Sequence, residues 1–430
     1  MSYAGAGVET VEVVIVGSGF GGLAAAKQLN KSGVPYVLIS STPEHLFQPL
    51  LYQVATGVLA SDEIAPPIKN ILKHHKNGET RIGKVTAIDA PNAILTYETA
   101  EGTRRIRYGS LIAATGARQS YFGRDDFADK TYSLKTIDDA KALRAQIDRV
   151  FTEAKTADPE TRRRLLSFVV VGAGATGVEV AGQLKELAKR YYHTDDSVIL
   201  VEGAGVVLPP FGGGLSEYAK GSLSKSGVEV LTDTFVTDID EGKVTVKSKD
   251  GVERGIAAET VVWSAGVQVG GFAELLAEAT GCETDRAGRL LVNPDCTVGG
   301  HADIYAIGDM TSLKGYPGQS PVAMQEGRHV ADIIRGKKQA ATEFNYWDKG
   351  SMAVISRFSA VTKINDKIKF TGTLAWFTWL AVHLFYLVGF RNRFAAVFSW
   401  LVAFIGTGRP GFSEVDKAPA AKEQAPPRAA

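Results

Sequence analysis

Gly17, Gly19 and Gly22 stand directly behind the run Val13-Val14-Ile15-Val16, and an apolar helical stretch, Leu23 to Leu29, begins at once. That spacing can hold a pyrophosphate. The first glycine lets the chain turn after a strand, and the second lets a phosphate approach bare backbone. The third lets helix and strand pack closely, with the helix N-terminus toward the anion. Ser18, Phe20 and Gly21 complete the turn. The same frame returns at Gly172, Gly174 and Gly177, with Thr176 inside it, after Phe168 to Val171. One such motif is weak evidence because glycine turns are common; two in strand-to-helix context support each other. A nucleotide ribose asks for an acceptor at the end of the next strand. Val198 to Glu202 (V-I-L-V-E) supplies Glu202, placed to accept from a 2′-hydroxyl and to repel a 2′-phosphate; the plain alternative is a solvated acid at a strand end. In the first copy the strand Pro35 to Ser40 ends in Ser40 where an acid is usual, which weakens the ribose contact and leaves the pyrophosphate site intact.

The elements around these turns repeat. Ser110 to Gly116 (S-L-I-A-A-T-G) is a buried strand ending in Thr115 and Gly116, and Gly116 follows Gly17 by 99 positions. In the second copy V-V-W-S-A-G ends at Gly266, which follows Gly172 by 94 positions. Each half thus opens on a phosphate-binding turn and closes on a strand ending in glycine, an α/β arrangement of two tandem Rossmann-like dinucleotide-binding domains. Between turn and closing strand, Thr86 to Asp89, Ile94 to Tyr97 and Thr103 to Arg107 alternate as a small antiparallel sheet. Asp138 to Arg164 is a charged helical connector. After Gly266 the chain returns to the first unit with strands at Leu290 to Val292 and Asp303 to Asp309, the latter ending in Gly308 and Asp309, where a carboxylate can hold a ribityl or ribose hydroxyl. The expected domains are 1–119 with 287–336, 120–286, a C-terminal region 337–412 and a disordered tail 413–430.

Composition narrows the classes. A chain of 430 residues exceeds what one core usually supports. A formal charge of +1 offers no argument for nucleic acid. With only Cys282 and Cys296, a disulfide framework, a C-x-x-C redox pair and a cysteine-ligated cluster are excluded, and no metal site is expected. Low cysteine use and the lack of a basic-then-apolar N-terminus point to the reducing cytoplasm.

The C-terminal region differs. Residues 337–412 hold ten Lys or Arg against three Asp or Glu, a net +7. Leu374 to Phe390 and Phe394 to Ile405 are apolar runs of seventeen and twelve residues, separated by Arg391-Asn392-Arg393. The first is at the lower edge of spanning length and the second too short, so a flat-lying anchor on an anionic lipid surface fits. Trp376, Phe377, Trp379, Phe385, Tyr386 and Trp400 suit a headgroup boundary. A pair of core or dimer-interface helices is the alternative. His45 to Gly57 (H-L-F-Q-P-L-L-Y-Q-V-A-T-G) is unusually apolar and reads from its residues as a core-packing helix.

The two glycine turns, A-T-G at Ala114 and I-G-D at Ile307 together resemble flavoproteins with two dinucleotide-binding domains, FAD in the first and NAD(P)H in the second. Within that group the chain is similar, over roughly residues 11–412, to actinobacterial type II, single-subunit, non-proton-pumping NADH:quinone oxidoreductases. The specific likeness lies in the His45 to Gly57 stretch, in W-S-A-G-V at Trp263 and in D-K-G-S-M-A at Asp348. The resemblance implies that His45 to Gly57, with Gln53, lies beside the flavin ring, and that Lys349 joins the cofactor residues. It implies that Gln325 is the amide of the quinone site, whose motif A-Q-x-A-x-Q falls on Ser320 to Gln325 with Pro321 in place of the first Gln. Glu179 then lies near the nicotinamide as a proton-handling residue, although a carboxylate near a helix N-terminus is stabilised by the dipole in any case.

The implied activity is FAD-dependent transfer of hydride from NADH and two-electron reduction of a membrane quinone, of menaquinone type, without proton pumping. The enzyme would sit on the cytoplasmic face of the membrane, with a homodimer compatible. Two readings compete: another NAD(P)H-dependent flavin oxidoreductase of the same superfamily, and a non-catalytic nucleotide-sensing protein at a membrane, which Ser40 and Pro321 keep open.

Overall fold

The computed structural model describes residues 8–193, 197–365, 367–406 and 409. Glu9–Val16 (β1) is central to the first unit because its last four residues are apolar on both faces and buried. The chain continues through Phe20–Asn30 (α1), Tyr36–Ser40 (β2), Leu51–Ala55 (α2), Ser61–Ile64 (α3), Ile68–Ile71 (α4) and Gly78–Ile82 (β3). Lys84–Asp89 (β4), Ile94–Thr99 (β5), Gly102–Ala113 (β6) and Arg118–Gln119 (β7) follow. Strands β3, β2, β1 and β6 are parallel neighbours, and β5 and β4 extend the sheet antiparallel from β6. Thr103 to Arg107 and the strand from Ser110, separate in the sequence reading, are one 12-residue strand. Its outer half alternates and its inner half is buried on both sides, so one strand carries two hydrophobic patterns.

Ile137–Glu153 (α5) and Pro159–Leu165 (α6) form the connector. The second unit holds Ser167–Val171 (β8), Ala175–Leu187 (α7), Ser197–Val201 (β9), Gly213–Ser226 (α8) and Val228–Leu231 (β10). An antiparallel trio Thr234–Asp240 (β11), Lys243–Ser248 (β12) and Glu253–Ala257 (β13) precedes Thr260–Trp263 (β14). The order β10-β9-β8-β14 reproduces β3-β2-β1-β6, so the repeat read from the glycines extends to whole sheets.

Val267–Gln268 (β15) pairs antiparallel with β7, so the chain passes between the units through one two-stranded ribbon. Trp263 donates its indole N–H to the Ser120 carbonyl at 2.9 Å, and Gln119 Nε2 donates to Gly266 O at 2.8 Å. The return to the first unit precedes the expected boundary at 286. Phe272–Thr280 (α9) buries Phe272, Ala273 and Leu276 in the core that β4, β5 and β6 share. A helix carries none of the strand signal that placed the boundary later. Leu290–Leu291 (β16), Thr297–Val298 (β17), His301–Ala306 (β18), Thr311–Ser312 (β19) and Ser320–Ile334 (α10) complete the unit. Strand β18 adds in parallel to β6, and α10 lies against α1 so closely that a Cβ at Gly327 would strike the Gly21 carbonyl.

The C-terminal region contains an antiparallel sheet that the sequence reading missed, Ser351–Ser356 (β20), Ser359–Ile364 (β21) and Ile368–Thr371 (β22), then Gly372–Tyr386 (α11) and Phe390–Ile405 (α12). The arginines expected between the helices instead lie in the first turn of α12. Trp376, Trp379 and Trp400, expected at a headgroup boundary, are 4%, 1% and 5% exposed and pack inward. The outward residues are Leu374, Phe377, Phe385, Phe390, Phe394, Phe398, Leu401 and Ile405. Each helix therefore has a core face, as the alternative reading expected, and an exposed apolar face. Among the described residues no helix is long and apolar enough to cross a membrane. The expected disordered tail lies outside the described residues.

This region clamps the two units together. Ser399 donates to Glu63 Oε1 at 2.7 Å and Asn392 to the Glu63 carbonyl at 2.9 Å, holding α12 on α3. On the other side β20 crosses α7 at Gly182, where a Cβ would overlap the Ile355 carbonyl oxygen. Backbone on backbone leaves nothing soft to yield. Gly182→Ala should therefore destabilise the protein by about 1–3 kcal/mol through overpacking, seen as a lower Tm with flavin content as the folding control. An unchanged Tm would mean the crossing is loose.

Candidate active site

The two glycine turns divide their labour as the spacing demands. Gly17 and Gly172 have φ of +105° and +95°, a conformation that side-chain-bearing residues resist. A Cβ on either would strike the chain just beyond β6 or β14, at Ala114 or Ala265. A Cβ at Gly22 or Gly177 would strike the carbonyl of Gly17 or Gly172, so these glycines close the turn on itself. A Cβ at Gly19 or Gly174 would meet nothing within 4 Å. Both are exposed, at the N-termini of α1 and α7. Bare backbone facing open space at a helix N-terminus suits a pyrophosphate. Ala175 and Thr176, beside Gly174, are exposed in the same mouth.

Ser40, where an acid is usual, is buried with its hydroxyl 2.8 Å from that of Ser18, so the first turn is braced by a hydroxyl pair. Glu202 braces the second. Its Oε2 accepts from the Ala173 N–H at 2.6 Å and its Oε1 from the Ala204 N–H at 2.8 Å. The solvated-acid alternative is therefore set aside, because both oxygens are committed to backbone beside the turn.

At the C-terminal end of β18, Gly308 (φ +76°) and Asp309 follow the strand. Burial pushes the Asp309 carboxyl up, opposed by the charges of Lys135 and Arg289. Beneath it the buried Glu326 accepts from the Gly308 N–H at 2.6 Å. Burial raises Glu326 to about 7, the Gly308 N–H opposes, and the charge of Asp309 adds to the rise. Neither Lys135 nor Glu326 was singled out from the sequence. The only available signal for Glu326 was its place in the chain, directly after Gln325 at the end of the Ser320 to Gln325 motif.

His45 donates Nδ1–H to the Ser18 carbonyl at 2.8 Å, which leaves Nε2 a buried acceptor without a partner. Burial lowers its pKa to about 4, with the Ser18 bond opposing, so the ring is neutral near pH 7. Aromatic rings continue from it: His45 to Phe20 at 5.3 Å, Phe20 to Phe47 at 5.6 Å, Phe47 to His383 at 6.3 Å, and His383 stacked on Trp379 at 3.9 Å. This wall joins the first turn to α11. An orphaned acceptor, an apolar ring-lined wall and an open glycine turn in one place fit a flavin dinucleotide.

Glu179, on α7 of the second unit, reaches the C-terminal region. It is buried, and Val354 N–H donates to its Oε1 at 3.3 Å. Burial raises its pKa to about 8, the Val354 N–H and the Trp379 indole opposing. Protonated near neutrality, it can hold or give up a proton where both units and α11 meet. Gln53, only 1% exposed, uses its amide between Trp400, which donates to Oε1 at 2.7 Å, and the Tyr52 hydroxyl at 3.2 Å. It thereby braces α2 against α12. Gln325 makes two bonds to one residue: its Nε2 donates to Trp347 O at 3.0 Å and its Oε1 accepts from Trp347 N–H at 3.1 Å. That pins the strap after α10 over the helix. Lys349 is on the same strap, its ammonium donating to Tyr386 at 3.1 Å. Pro321 lies in the first turn of α10, where a missing N–H costs nothing, with Gln319 as N-cap. Thr115, Gly116 and Gly266 stand at the strand ends; Thr115 N–H donates to Met310 Sδ at 3.3 Å. Cys282 and Cys296 are buried free thiols, each set in a different core of the first unit.

Two paired-sheet nucleotide units in tandem, with open phosphate turns, define a two-dinucleotide oxidoreductase, and residues 11–327 match the pyridine nucleotide-disulphide oxidoreductase family, to which the chain belongs. It is 45% identical to the type II NADH:quinone oxidoreductase Ndh of Mycobacterium tuberculosis, over 94% of this chain and 90% of the relative, and 46% identical to NdhA of that organism over 92% and 88%. The chain belongs to the type II NADH:quinone oxidoreductases. The solved structure of NDH2 from Plasmodium falciparum in complex with NADH shares the fold, with a TM-score of 0.84 at 20% identity over 93% of this chain and 99% of that one.

The raised pKa of Glu179 makes stability pH-dependent. The native state keeps a proton that the unfolded chain releases near pH 4.5, so this contribution is full below about 4.5 and is lost as pH rises through about 8. Glu179→Gln keeps an acceptor for Val354 and removes the titration. Its Tm should fall less than that of the parent between pH 5 and 8, by differential scanning fluorimetry; parallel curves would place the proton elsewhere.

Proposed function

We propose that this chain is an FAD-dependent NADH:quinone oxidoreductase in which the first turn holds FAD and the second NADH. The observation that carries it is the pair of open glycines, Gly19 and Gly174, on two units joined by one ribbon and closed by a shared C-terminal region. In the first site, Gly17 to Gly22 present backbone to the pyrophosphate, and Ser40, Thr115, Gly116, Gly308 and Asp309 line the strand ends. In the second, Gly172, Gly174, Thr176 and Gly177 present backbone, with Glu202 and Gly266 beside them. Bound flavin supplies the two-electron chemistry, accepting hydride from a nicotinamide and reducing a quinone.

The residues position and exclude. The ring wall from Phe20 to Trp379 keeps water from the reacting face. Glu179, neutral by burial, exchanges a proton with the quinone-side chemistry. Gln325 with the Trp347 backbone, and Lys349 with Tyr386, form the rim where a quinone enters. Gln53 acts from behind, by fixing Trp400 and Tyr52. The acceptor is a menaquinone-type quinone, in keeping with the actinobacterial likeness. The enzyme lies on the cytoplasmic face of the membrane, where the exposed faces of α11 and α12 enter the lipid without spanning it; their outward aromatic residues and basic flanks support this.

Gln325→Leu removes the amide and frees the strap. Quinone reduction should slow by the equivalent of about 1–3 kcal/mol while stopped-flow reduction of flavin by NADH is unchanged; an unaltered quinone rate would take Gln325 out of the site. Glu202→Ala removes charge beside the ribose and loosens the turn. The preference for NADH over NADPH in kcat/KM should narrow, and Tm should drop. Equal kcat/KM for both nucleotides in the parent would sink the assignment of Glu202.

A further inference from the structure

Outside the active site, the far end of α1 carries a cavity of about 320 Å³ lined by Lys27, Gln28, Lys31, His75 and Arg328. Lys27 stands seven residues beyond Phe20, about 10 Å along the helix from the phosphate turn. The lining holds two lysines, an arginine and a histidine but no carboxylate. Among the described residues no ion pair is made by Lys27, Lys31 or Arg328. Lys27 is costly to keep charged there: burial lowers its pKa, and Arg328, Arg393 and Lys31 add repulsion. Such a cluster is uncompensated within the chain, and an anion would relieve it. The flanking stretch from Pro66 to Gly78 has no acid and exposes Lys69, Lys73, His74 and Lys76.

Position narrows the anion. Arg393, which repels Lys27, is the residue that ties the α11–α12 turn by donating to the carbonyls of Leu387 at 2.8 Å and Phe385 at 2.7 Å. Val388 of that turn packs on the α1 core. Beside it Phe385, Phe390 and Phe394 are 69%, 75% and 62% exposed. A cationic cavity next to outward phenylalanines puts phosphate-binding groups where headgroups lie when those rings enter acyl chains.

We propose that Lys27, Lys31 and Arg328 form a binding site for the phosphate of an anionic phospholipid headgroup, on the FAD-binding unit rather than on the C-terminal region. This rests on the membrane reading above. It makes docking depend on a cavity of defined shape, where diffuse charge on the C-terminal region would not.

The test uses full-length, flavin-loaded protein, co-sedimented with vesicles of phosphatidylcholine alone or mixed with phosphatidylglycerol. The parent is compared with a Lys27→Gln/Lys31→Gln/Arg328→Gln variant, with a charge-keeping Lys27→Arg/Lys31→Arg/Arg328→Lys variant, and with Arg104→Gln/Arg105→Gln/Arg107→Gln, which removes equal charge from exposed positions of β6. The first variant should bind phosphatidylglycerol vesicles about ten- to a hundredfold more weakly and phosphatidylcholine as the parent does. The other two should keep the parent's preference, and NADH oxidation with a short-chain soluble quinone should be unchanged in all. Retained preference in the first variant, or an equal loss in the β6 variant, overturns the site. A parent that binds both vesicles equally also overturns it while leaving membrane attachment standing; a parent that binds neither removes the membrane reading itself. Broadening of the ³¹P signal of inorganic phosphate, lost in the first variant but without any lipid preference in the parent, would assign the cavity to free phosphate and overturn the lipid assignment.

Discussion

A pyrophosphate can reach a protein backbone only where no side chain intervenes, and that constraint organises both nucleotide units. At Gly19 and Gly174 the absence of a Cβ opens the approach. Leaving that space requires the turn to be held from behind, which is why Gly17 and Gly172 press against the chain just beyond β6 and β14 and why Gly22 and Gly177 touch the first glycine of their own turn. The parallel sheet is thus fixed around the ligand site, with buried β-branched strands supplying the stiffness and helix N-termini the polarity.

The second organising feature is the junction of three parts at one buried carboxyl. Glu179 comes from α7, its donor Val354 from β20, and its ring neighbour Trp379 from α11. An isolated carboxylate in such surroundings is expensive, so the group keeps its proton near neutrality. The tight crossing at Gly182 and the links of Ser399 and Asn392 to Glu63 show what maintains that environment. The C-terminal region is therefore as much a structural closure of the active site as a surface element.

Helices α11 and α12 each serve two solvents. The tryptophans go inward, where Trp400 finds Gln53 as a partner for its N–H, and phenylalanines and aliphatic residues line the outside. A low-contrast helix of this kind, apolar nearly all round, carries little periodic signal. The faces are separated by which side chains find core partners to pack against once the chain has folded.

From the sequence alone the two nucleotide units, their turns and their order were legible, because glycine spacing after a β-branched run is a local requirement satisfied by residues adjacent in the chain. The apolar character of Leu374 to Ile405 was legible for the same reason. Tertiary structure decided the rest. Glu202 and Ser40 became braces of their turns, Gln53 a buried link to a helix some 350 positions later, and Gln325 the anchor of a strap, since each depends on partners brought close only by folding. The helix α9 joined the first unit, and the sheet from Ser351 to Thr371 formed against α7, by burial that no local pattern announces. Glu326 and Lys135 drew together at Asp309 in the same way. Their charges acquired meaning from low-dielectric surroundings, a property of the assembled interior rather than of any stretch of chain.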